Sequence, residues 1–531
     1  MLSFLRSRPP RRRLPLWARV LCAVLLVPPV LLGLFCLQTA YKIYASNRAE
    51  EHLPAVAAPH TGQRILVFSP HPDDETLGAA GLIRQARLRG DDVRVVFLTN
   101  GDGFGVSAAR EFHEITVSPK DFVRYAYLRQ RESRTALGLL GLPPADIHFL
   151  GYPDRGLMPM WINHWNPGSP VESPYTRVSN SPYDDSATLH APYCGASLLA
   201  DIRAQMQAEQ PTDVYITHPN DDHPDHAAGS VFVRTALHEL KTEGVPWART
   251  ARLHYFIVHR GDWPVPQGLN EEAPLVPPSQ LANLDTDWSA LPLSHRDVQR
   301  KYAAIKRYQS QVDSAGRFLY SFARRNELFG TLGSNIAPTL AVVPEGRFHM
   351  DGRAQDWAGQ TPAALDPSGD SVLRAFQASA DIVRLYACRD STTLYLRQDM
   401  QRSLSSQVTY AFVLRPLTPA VAQGQAPPPS QTILLKPGPD GQRLPVPGIP
   451  GGTYAWHGSL LEAALPLSAL HLQSAPPGTM LYLMGQTRFA NVEVDHTGFR
   501  PVEMQQIETQ QSLTAQQRSA SLPPAPSHRA P

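Results

Sequence analysis

The chain of 531 residues is 42% hydrophobic and 18% charged, which allows roughly three to four domains with sizeable cores and excludes wholesale disorder. Its 51 prolines predict long proline-rich loops, and the composition excludes collagen and coiled coil. The 49 basic side chains of Lys and Arg nearly balance the 47 carboxylates of Asp and Glu, so the net charge does not favour a nucleic-acid partner.

The N-terminal segment joins a basic flank to a long uncharged stretch. Residues 1–19 hold six arginines and no acidic residue, and no charge follows until Lys42. About twenty apolar residues suffice to cross a bilayer as a helix, and the arginines place the N-terminus in the cytoplasm. We therefore predict a single-pass signal anchor over 20–41, a linker over 42–61 and an extracytoplasmic remainder. A cleaved signal peptide and a buried helix of a soluble domain are the alternatives.

The four cysteines do not suggest a disulfide framework or a thiolate metal site. Cys22 and Cys36 lie in the apolar segment, whereas Cys194 and Cys388 fall in different predicted domains. Sites of those kinds need cysteines that lie close together in the fold. Any metal is therefore expected to be held by histidines and carboxylates.

Between residues 62 and 342, short apolar runs alternate with amphipathic stretches. The predicted strands are 64–69, 93–99, 146–151, 213–218 and 253–258. The predicted helices between them are 76–89, 121–139, 195–209 and 225–242. This alternation is typical of an α/β domain with a parallel sheet covered on both faces. The segment 153–194 interrupts the pattern and is expected to be a lid or a binding loop.

The remaining chain changes in character. Residues 294–328 are predicted to form one long helix with a solvated basic face. Short alternating runs over 345–510 predict an antiparallel β-sandwich, in which 415–452, with ten prolines, is expected to be a loop. The tail over 511–531 has too few apolar residues to pack and is expected to be disordered.

A cluster of ionisable side chains follows the first predicted strand. His71, Asp73, Asp74 and Glu75 lie within five consecutive positions at the start of a helix. Ligands of open α/β sheets bind at the carboxyl ends of the strands, and three adjacent acids repel one another unless a cation neutralises them. The cluster therefore favours a metal site. The alternative is a helix N-terminus, which attracts acids through its dipole but does not explain the histidine.

A second cluster follows the strand over 213–218. It places His223, Asp225 and His226 at the start of another helix, with His218 at the strand end. Neutral imidazoles and carboxylates are the usual ligands of a catalytic zinc with an open water position, although other first-row metals accept the same groups. For His218, a histidine without function is an equal alternative.

The motifs HPDDE over 71–75 and HPDH over 223–226, each at a strand end, resemble the LmbE/PIG-L family of zinc-dependent N-acetylglucosaminyl deacetylases. The resemblance extends from 62 to about 340, with LGYPDRGL over 150–157 in agreement. It implies a Rossmann-like fold and hydrolysis of an N-acyl group from an amino sugar or a related amine.

The resemblance also implies roles for the motif residues. The implied ligands of Zn²⁺ are His71, Asp74 and His226. Asp73 is implied as the general base, and a protonated His223 as the group that stabilises the oxyanion or donates to the leaving amine. Asp225 is implied to orient a histidine of its own motif.

Three further residues are candidates for substrate binding. Asp154 follows the third predicted strand at the same edge of the sheet and is expected to hold a sugar hydroxyl. Arg131 lies on a helix, where a solvated or salt-bridged arginine is the alternative. His218 is the third candidate.

The segment 350–370 and the runs after it resemble family-9-like carbohydrate-binding and DOMON-type β-sandwich modules over about 347–500. Trp357 and Trp456 are candidates for stacking on sugars, with a place in the core as the alternative. Four acids are candidate calcium ligands or ordinary loop acids: Asp351, Asp356, Asp366 and Asp370.

Together these features predict a membrane-anchored, extracytoplasmic zinc hydrolase that removes N-acetyl or other N-acyl groups from a glycan or glycoconjugate. One alternative is a metal-dependent amidase acting on a small conjugate. Another is a non-catalytic glycan-binding surface protein, whose structural zinc would be closed by four protein ligands rather than keep an open position.

Overall fold

The structure is a computed structural model that describes residues 53–56 and 62–504, with gaps at 283, 334–338, 370–377, 419–427 and 439–440, and scattered positions between 29 and 44. The anchor predicted over 20–41 lies mostly outside the described residues, and the tail over 511–531 lies entirely outside them. In the described part of the chain, no helix has both the length and the apolar character needed for a bilayer crossing.

The first domain is built on a seven-stranded sheet with the order β3-β2-β1-β4-β5-β7-β6. Its strands are β1 (Arg64–Ser69), β2 (Asp92–Thr99), β3 (Ile147–Tyr152), β4 (Asp213–Thr217), β5 (Arg252–Phe256), β6 (Thr286–Pro292) and β7 (Asn326–Leu332). The first five are parallel, as predicted. The prediction of a parallel sheet is wrong at one edge, where β7 runs antiparallel to both of its neighbours, β5 and β6. The result is a mixed, Rossmann-like sheet.

The helices connect and cover these strands. They are α1 (Asp74–Arg89), α2 (Gly105–Phe112), α3 (Pro119–Leu139), α4 (Leu157–Ile162), α5 (Gly195–Glu209), α6 (Pro224–Thr242), α7 (Pro246–Thr250), α8 (His295–Ile305) and α9 (Gln309–Tyr320). Local sequence sets their ends. Ser118 caps α3 ahead of a proline at the first helical position, and Gly90 ends α1 in the left-handed conformation that glycine adopts easily.

The single helix predicted over 294–328 is wrong. A capping box of Ser294 and Asp297 starts α8, but Tyr308 then leaves the helical conformation with ψ 61° before α9 begins. The Tyr308 ring is fully buried, and its hydroxyl donates to Glu75. The last part of the segment forms β7, whose first five residues are all buried in the sheet.

Buried side chains form a core on each face of the sheet. Ile65 and Val67 of β1 belong to one core, and Leu66 and Phe68 belong to the other. Successive side chains of a strand point to opposite faces, so β1 is covered on both sides, as its continuous apolar sequence predicts.

The described part of the C-terminal region forms two sheets. Their strands are β8 (Ala341–Val342), β9 (Ala364–Leu365), β10 (Ile382–Arg389), β11 (Thr393–Met400), β12 (Val408–Leu417), β13 (Gln431–Leu435), β14 (Leu444–Pro445), β15 (Thr453–His457), β16 (Leu460–Pro466), β17 (Met480–Phe489), β18 (Val492–His496) and β19 (Arg500–Glu503). One sheet has the order β14-β15-β16-β11-β10-β8 with β9 on β10, and the other has the order β13-β12-β17-β18 with β19 on β17.

These strands pair antiparallel, apart from β8 with β10, and side chains of both sheets share one core. The predicted antiparallel architecture is confirmed. The expectation that 415–452 contains no strand is wrong, because β13 and β14 lie there. In β13 only Ile433 and Leu435 are buried. Two alternating apolar residues in a proline-rich segment are too few to predict a strand.

The sandwich candidates for sugar and calcium binding have ordinary structural contacts. The Trp357 side chain is 2% exposed, and its indole N–H donates to Glu462 at 2.9 Å, so it is a core residue. Trp456 is half-buried. Asp351 and Asp356 each accept a backbone N–H of their own loop, Asp366 is buried, and Asp370 lies outside the described residues.

The sandwich packs on the first domain through a shared apolar core. The Trp161 ring of α4 lies 5.0 Å from that of Tyr482 and 5.9 Å from that of Phe499, measured between centroids. Arg415 of β12 covers the neighbouring Trp165 ring at 4.7 Å and donates to the Ile162 carbonyl at 3.0 Å. The two domains are therefore joined by buried contacts rather than by a linker alone.

A buried ion pair fastens α1 to β7 and α8. The Lys301 ammonium donates to Glu327 and to the Leu77 carbonyl, each at 2.7 Å, and both charged side chains are completely buried. Glu327 also accepts the backbone N–H groups of Gly81 and Leu82, at 2.7 and 2.8 Å.

We expect Lys301→Ala to lower the free energy of unfolding by about 3–5 kcal/mol, because it leaves the Glu327 carboxylate buried without its cation. Thermal and urea unfolding of the purified protein would measure this loss. The matched control is Lys120→Ala, since Lys120 is exposed. Equal stability of the two variants would contradict the prediction.

Candidate active site

The loop between β1 and α1 holds a strained aspartate. Asp73 has φ 125° and ψ −30°, a conformation that costs a non-glycine residue on the order of 1–3 kcal/mol and that concentrates at functional sites. Its carbonyl accepts the backbone N–H groups of Thr76 and Leu77 at 3.0 and 2.9 Å, and its own N–H donates to Glu75 at 3.1 Å. The surrounding hydrogen bonds thus hold the strained conformation.

Glu75 lies beneath this loop and accepts hydrogen bonds that hold it in place. Its carboxylate is completely buried and accepts hydrogen bonds from Thr76 at 2.6 Å, from Tyr308 and from the Asp73 backbone. Burial raises the pKa of this carboxyl. The sequence grouped Glu75 with the ionisable cluster, and the structure gives it a supporting position beneath the loop.

Two histidines and one carboxylate of the two motifs converge on one point. His71 Nδ1 lies 3.2 Å from Asp74 Oδ2 and 3.1 Å from His226 Nε2, and His226 Nε2 lies 3.0 Å from Asp74 Oδ2. Ligand atoms at about 2.0–2.1 Å from a zinc ion in tetrahedral geometry are about 3.3 Å apart. The spacing and chemistry of these donors therefore fit a tetrahedral divalent metal.

The electrostatics of this triad also favour a cation. Burial alone lowers the pKa of the His226 imidazole, but Asp221 and Asp74 raise it overall to about 10. Burial likewise opposes the Asp74 carboxylate, while His226 and His71 bring its pKa well below the usual range. The His226 shift reflects two carboxylates that attract positive charge, and the Asp74 shift reflects the pairing of its carboxylate with the two histidines. A metal ion would supply that charge without a bound proton.

A carboxylate lies beside the second ring nitrogen of each of these two histidines. Asp225 Oδ2 lies 3.2 Å from His71 Nε2, and Asp221 Oδ1 lies 3.2 Å from His226 Nδ1. Such partners commonly fix the tautomer and the orientation of metal-binding imidazoles. The expectation that Asp225 orients a histidine of its own motif is wrong. Its side chain instead crosses to the first motif, held there by the backbone N–H of Leu157 at 3.0 Å.

Asp73 faces the cavity beside a buried arginine. Burial raises the pKa of Asp73 to about 8, against the opposing charge of Arg129, whose Nη2 lies 3.3 Å from Asp73 Oδ2. Arg129 Nη1 donates to the Gly101 carbonyl at 3.0 Å. A Cβ atom on Gly101 would lie 1.9 Å from that nitrogen, so only glycine leaves room for the guanidinium.

Arg131, the predicted arginine of the site, is exposed on α3, and the structure does not bring it into the cluster. Arg129, two residues earlier, occupies the site instead. The buried positions of α3 include Tyr125, Arg129 and Ala136, which share one helical face. That periodicity was the signal that distinguishes Arg129 from Arg131.

His223 is a neutral imidazole rather than the protonated group expected from the sequence. It caps α6, because its Nδ1 accepts the backbone N–H of Asp225 at 3.2 Å. Burial, together with the nearby charges of His71 and His226, lowers the pKa of His223 to about 2. The ring therefore carries its proton on Nε2, where it can donate one hydrogen bond.

Asp154 and His218 differ in position. Asp154 lines the cavity, with Oδ1 3.5 Å from His71 Nε2 and with a hydrogen bond from the Gly103 backbone at 3.0 Å. His218 is completely buried and stacks on Trp288 at 5.3 Å, while its Nε2 lies 2.9 Å from Thr286 Oγ1. The structure thus brings Asp154 to the cavity and leaves His218 in the protein interior.

His259 was missed by sequence reasoning. It follows β5, lines the cavity and stacks on Phe318 at 5.4 Å. With Asp74 and His226 it forms one of the groups, among the described residues, whose ligand atoms lie within 4.8 Å of one another. Its place directly after a predicted strand was the available signal, because His71 follows β1 in the same way.

The site opens into a cavity of about 240 Å³. One wall is mainly apolar and is formed by Leu77, Phe104, Ala315, Phe318 and Leu319. Opposing polar groups include Arg129, Gln311 and two residues of the segment 153–194, Asp154 and Arg155. The segment predicted as a lid or binding loop therefore supplies part of the cavity wall. Such mixed lining is typical of small-molecule sites.

Residues 66–237 match the family model PIG-L, described as GlcNAc-PI de-N-acetylase. Both histidine and aspartate motifs lie inside the matched segment. A relative from Nocardioides sp., a 1D-myo-inositol 2-acetamido-2-deoxy-alpha-D-glucopyranoside deacetylase, is 23% identical over 55% of this chain and 97% of its own length. A glucosamine-6-phosphate deaminase-like protein of Bacteroides thetaiotaomicron is 20% identical over 51% of this chain, and only 39% of that protein is covered.

Among solved structures, an N,N'-diacetylchitobiose deacetylase from Pyrococcus horikoshii aligns with 51% of this chain and 84% of its own, at 17% identity and a TM-score of 0.32. The family match and the relatives named as deacetylases support a PIG-L-type deacetylase domain, that is, a hydrolytic enzyme. The His and Asp cluster is consistent with the metal dependence of such enzymes.

We expect Asp225→Asn to weaken metal affinity about 10- to 100-fold, because it removes the carboxylate that orients His71. Competition with a chromogenic chelator would measure the affinity. The control is Asp92→Asn, because Asp92 is exposed at the opposite end of a parallel strand. Unchanged affinity in Asp225→Asn would show that His71 needs no such partner.

Proposed function

We propose that this chain is a Zn²⁺-dependent deacetylase that removes the N-acetyl group from an amino sugar of a glycan or glycoconjugate. The observation that carries the proposal is the convergence of His71, Asp74 and His226 within 3.2 Å of one another. Asp73 and His223 face the same cavity and supply the groups that amide hydrolysis needs besides a metal.

His71, Asp74 and His226 would hold the metal. When bound, the metal would supply Lewis acidity and lower the pKa of a water molecule, so that a hydroxide nucleophile is available at neutral pH. Asp73 lines the cavity beside these ligands and is placed to take a proton as water attacks the amide carbon. The same proton then passes to the amide nitrogen as the C–N bond breaks, which leaves acetate and a free amine.

His223 is placed to donate a hydrogen bond to the carbonyl oxygen of the amide. Its Nδ1 is engaged by the α6 backbone, so its Nε2–H is the group left to donate toward the cavity. A fixed donor of this kind stabilises negative charge as it develops on the carbonyl oxygen. No protonated imidazole is required for that role.

The lining of the cavity supports an amino sugar as substrate. A sugar ring offers hydroxyl groups at its edge and C–H groups on its faces. Asp154 and Arg155 provide polar partners for hydroxyls, and Phe104 and Phe318 provide an apolar wall. The Nocardioides relative is named for a 2-acetamido sugar, which supports the same class for this chain.

Location is proposed from the sequence. The uncharged segment over 20–41 and the six arginines before it support a single-pass anchor with the catalytic domain outside the cytoplasm. The sandwich, through its resemblance to carbohydrate-binding modules, is proposed to contact the glycan. Anchor and sandwich would together keep the enzyme at a membrane-proximal glycan.

The full-length protein in detergent, incubated with N-acetylglucosamine oligomers and surface polysaccharide, is expected to release acetate. A chelator should stop the release, and adding back Zn²⁺ or another divalent metal should restore it and identify the preferred ion. Metal binding without acetate release across the panel would instead favour an amidase for other conjugates or a non-catalytic protein.

We expect Asp73→Asn to retain the metal and lose about 10²- to 10⁴-fold in kcat, because it removes a base but no ligand. Acetate release and metal content of the same preparation would be measured together. Asp92→Asn is again the control for the loss of one carboxylate. If kcat stays within a few-fold of the wild type, Asp73 is not the base.

Removal of residues 1–41 is expected to shift the protein from the membrane to the supernatant fraction without changing the acetate release rate per bound metal. Protease added to intact cells should digest the full-length protein from outside. Protection of the catalytic domain from that protease would contradict the proposed orientation.

A further inference from the structure

A buried arginine of the sandwich contacts the loop that carries the second motif. Arg500 of β19 is 1% exposed, and its guanidinium lies 2.9 Å from Asp285, which is equally buried. The same guanidinium donates to the side-chain oxygen of Asn220. One planar group thus joins a carboxylate of the first domain to the loop between β4 and α6.

The sandwich holds Asn220 at both ends of its amide. The oxygen accepts from Arg500, and the nitrogen donates to Asp366 at 3.3 Å. The turn before β19 also lies against this loop. A Cβ atom on Gly498, which has φ +64°, would be 2.7 Å from the Pro219 carbonyl oxygen. The sandwich therefore holds the Asn220 side chain, while the Asn220 backbone is held within the first domain: its N–H donates to His218 Nδ1 at 3.0 Å and its carbonyl accepts from Arg260 at 3.2 Å.

Asn220 is adjacent to the residue that orients a metal ligand. Asp221 Oδ1 lies 3.2 Å from His226 Nδ1 and accepts the backbone N–H of His223 at 3.0 Å. Its other oxygen accepts the backbone N–H groups of Val258 and His259, at 2.9 and 3.0 Å. Asp221 is thus the carboxylate that connects the loop of Asn220 to the His226 ring.

We propose that Arg500 is a positioning residue for the metal site, acting through Asn220 and Asp221 on His226. The sandwich would then help to position a metal ligand of the hydrolase, in addition to its proposed contact with the glycan. The inference rests on the proposed metal site but on no particular substrate. Its competitor is a purely structural role, in which Arg500 only neutralises Asp285 and joins the domains.

The test uses full-length protein carrying Arg500→Lys, Asn220→Ala or both changes. Lysine keeps a positive charge for Asp285 but cannot reproduce the planar fork that also reaches Asn220. The control is Arg397→Lys, because Arg397 makes a similar two-bond contact with Asp399, at 2.7 and 2.8 Å, inside the sandwich. The readouts are chelator-competition affinity for Zn²⁺ and Co²⁺, the Co²⁺ absorption spectrum, and thermal unfolding without metal.

Each single variant is expected to weaken metal affinity about tenfold and to alter the Co²⁺ spectrum. Tenfold is the lower limit of the losses, about 10- to 100-fold, that follow mutation of the hydrogen-bond partners of metal-binding histidines. The double variant should be no weaker than the single variants, because both act along one route. Arg397→Lys should bind metal like the wild type.

Wild-type metal affinity in Arg500→Lys, with only a lower unfolding temperature, would overturn the proposal in favour of the structural role. Additive losses in the double variant would overturn the route through Asn220. Failure of the wild type itself to bind metal would instead refute the proposed function, and the inference with it.

Discussion

The structure depends on one electrostatic constraint: carboxylates and imidazoles are packed together, away from water, at the carboxyl ends of adjacent strands β1 and β4. His71, Asp74 and His226 lie within 3.2 Å of one another in an interior that strongly disfavours unpaired charge. A divalent cation held by these three side chains, as proposed, would satisfy that constraint. The strained Asp73, the buried Glu75 beneath it and the outer carboxylates Asp221 and Asp225 then follow as the support that such a cluster requires.

The two motifs are far apart in sequence but depend on each other in space. Asp225 belongs to the second motif and contacts His71 of the first, so neither loop is complete alone. The segment after β3 adds a further dependence, because its backbone at Leu157 holds Asp225. Three strand ends therefore contribute to one centre, which explains why the site lies at the edge where parallel strands β1, β3 and β4 all terminate.

Much of the fold was predictable from local periodicity. The five parallel strands and the four predicted helices between them lie within two residues of the predicted bounds. The two motifs come together at one site, as expected from their positions at strand ends. The predictions that differ from the structure concern features that tertiary contacts determine. Tyr308 interrupts the predicted long helix, and its hydroxyl donates to Glu75. The pKa of His223 is lowered by burial and by the nearby charges of His71 and His226. The choice of Arg129 over Arg131 was encoded in the helical period, whereas the contacts of Arg500 carry no sequence signal.

The apolar core shared between the domains limits how this protein can be divided. Trp161, Phe232, Tyr482 and Phe499 pack in one cluster, so removing the sandwich would expose large aromatic rings on the remaining domain. Exposed patches of that kind promote aggregation. The unit that folds together is therefore longer than the family-matched segment 66–237.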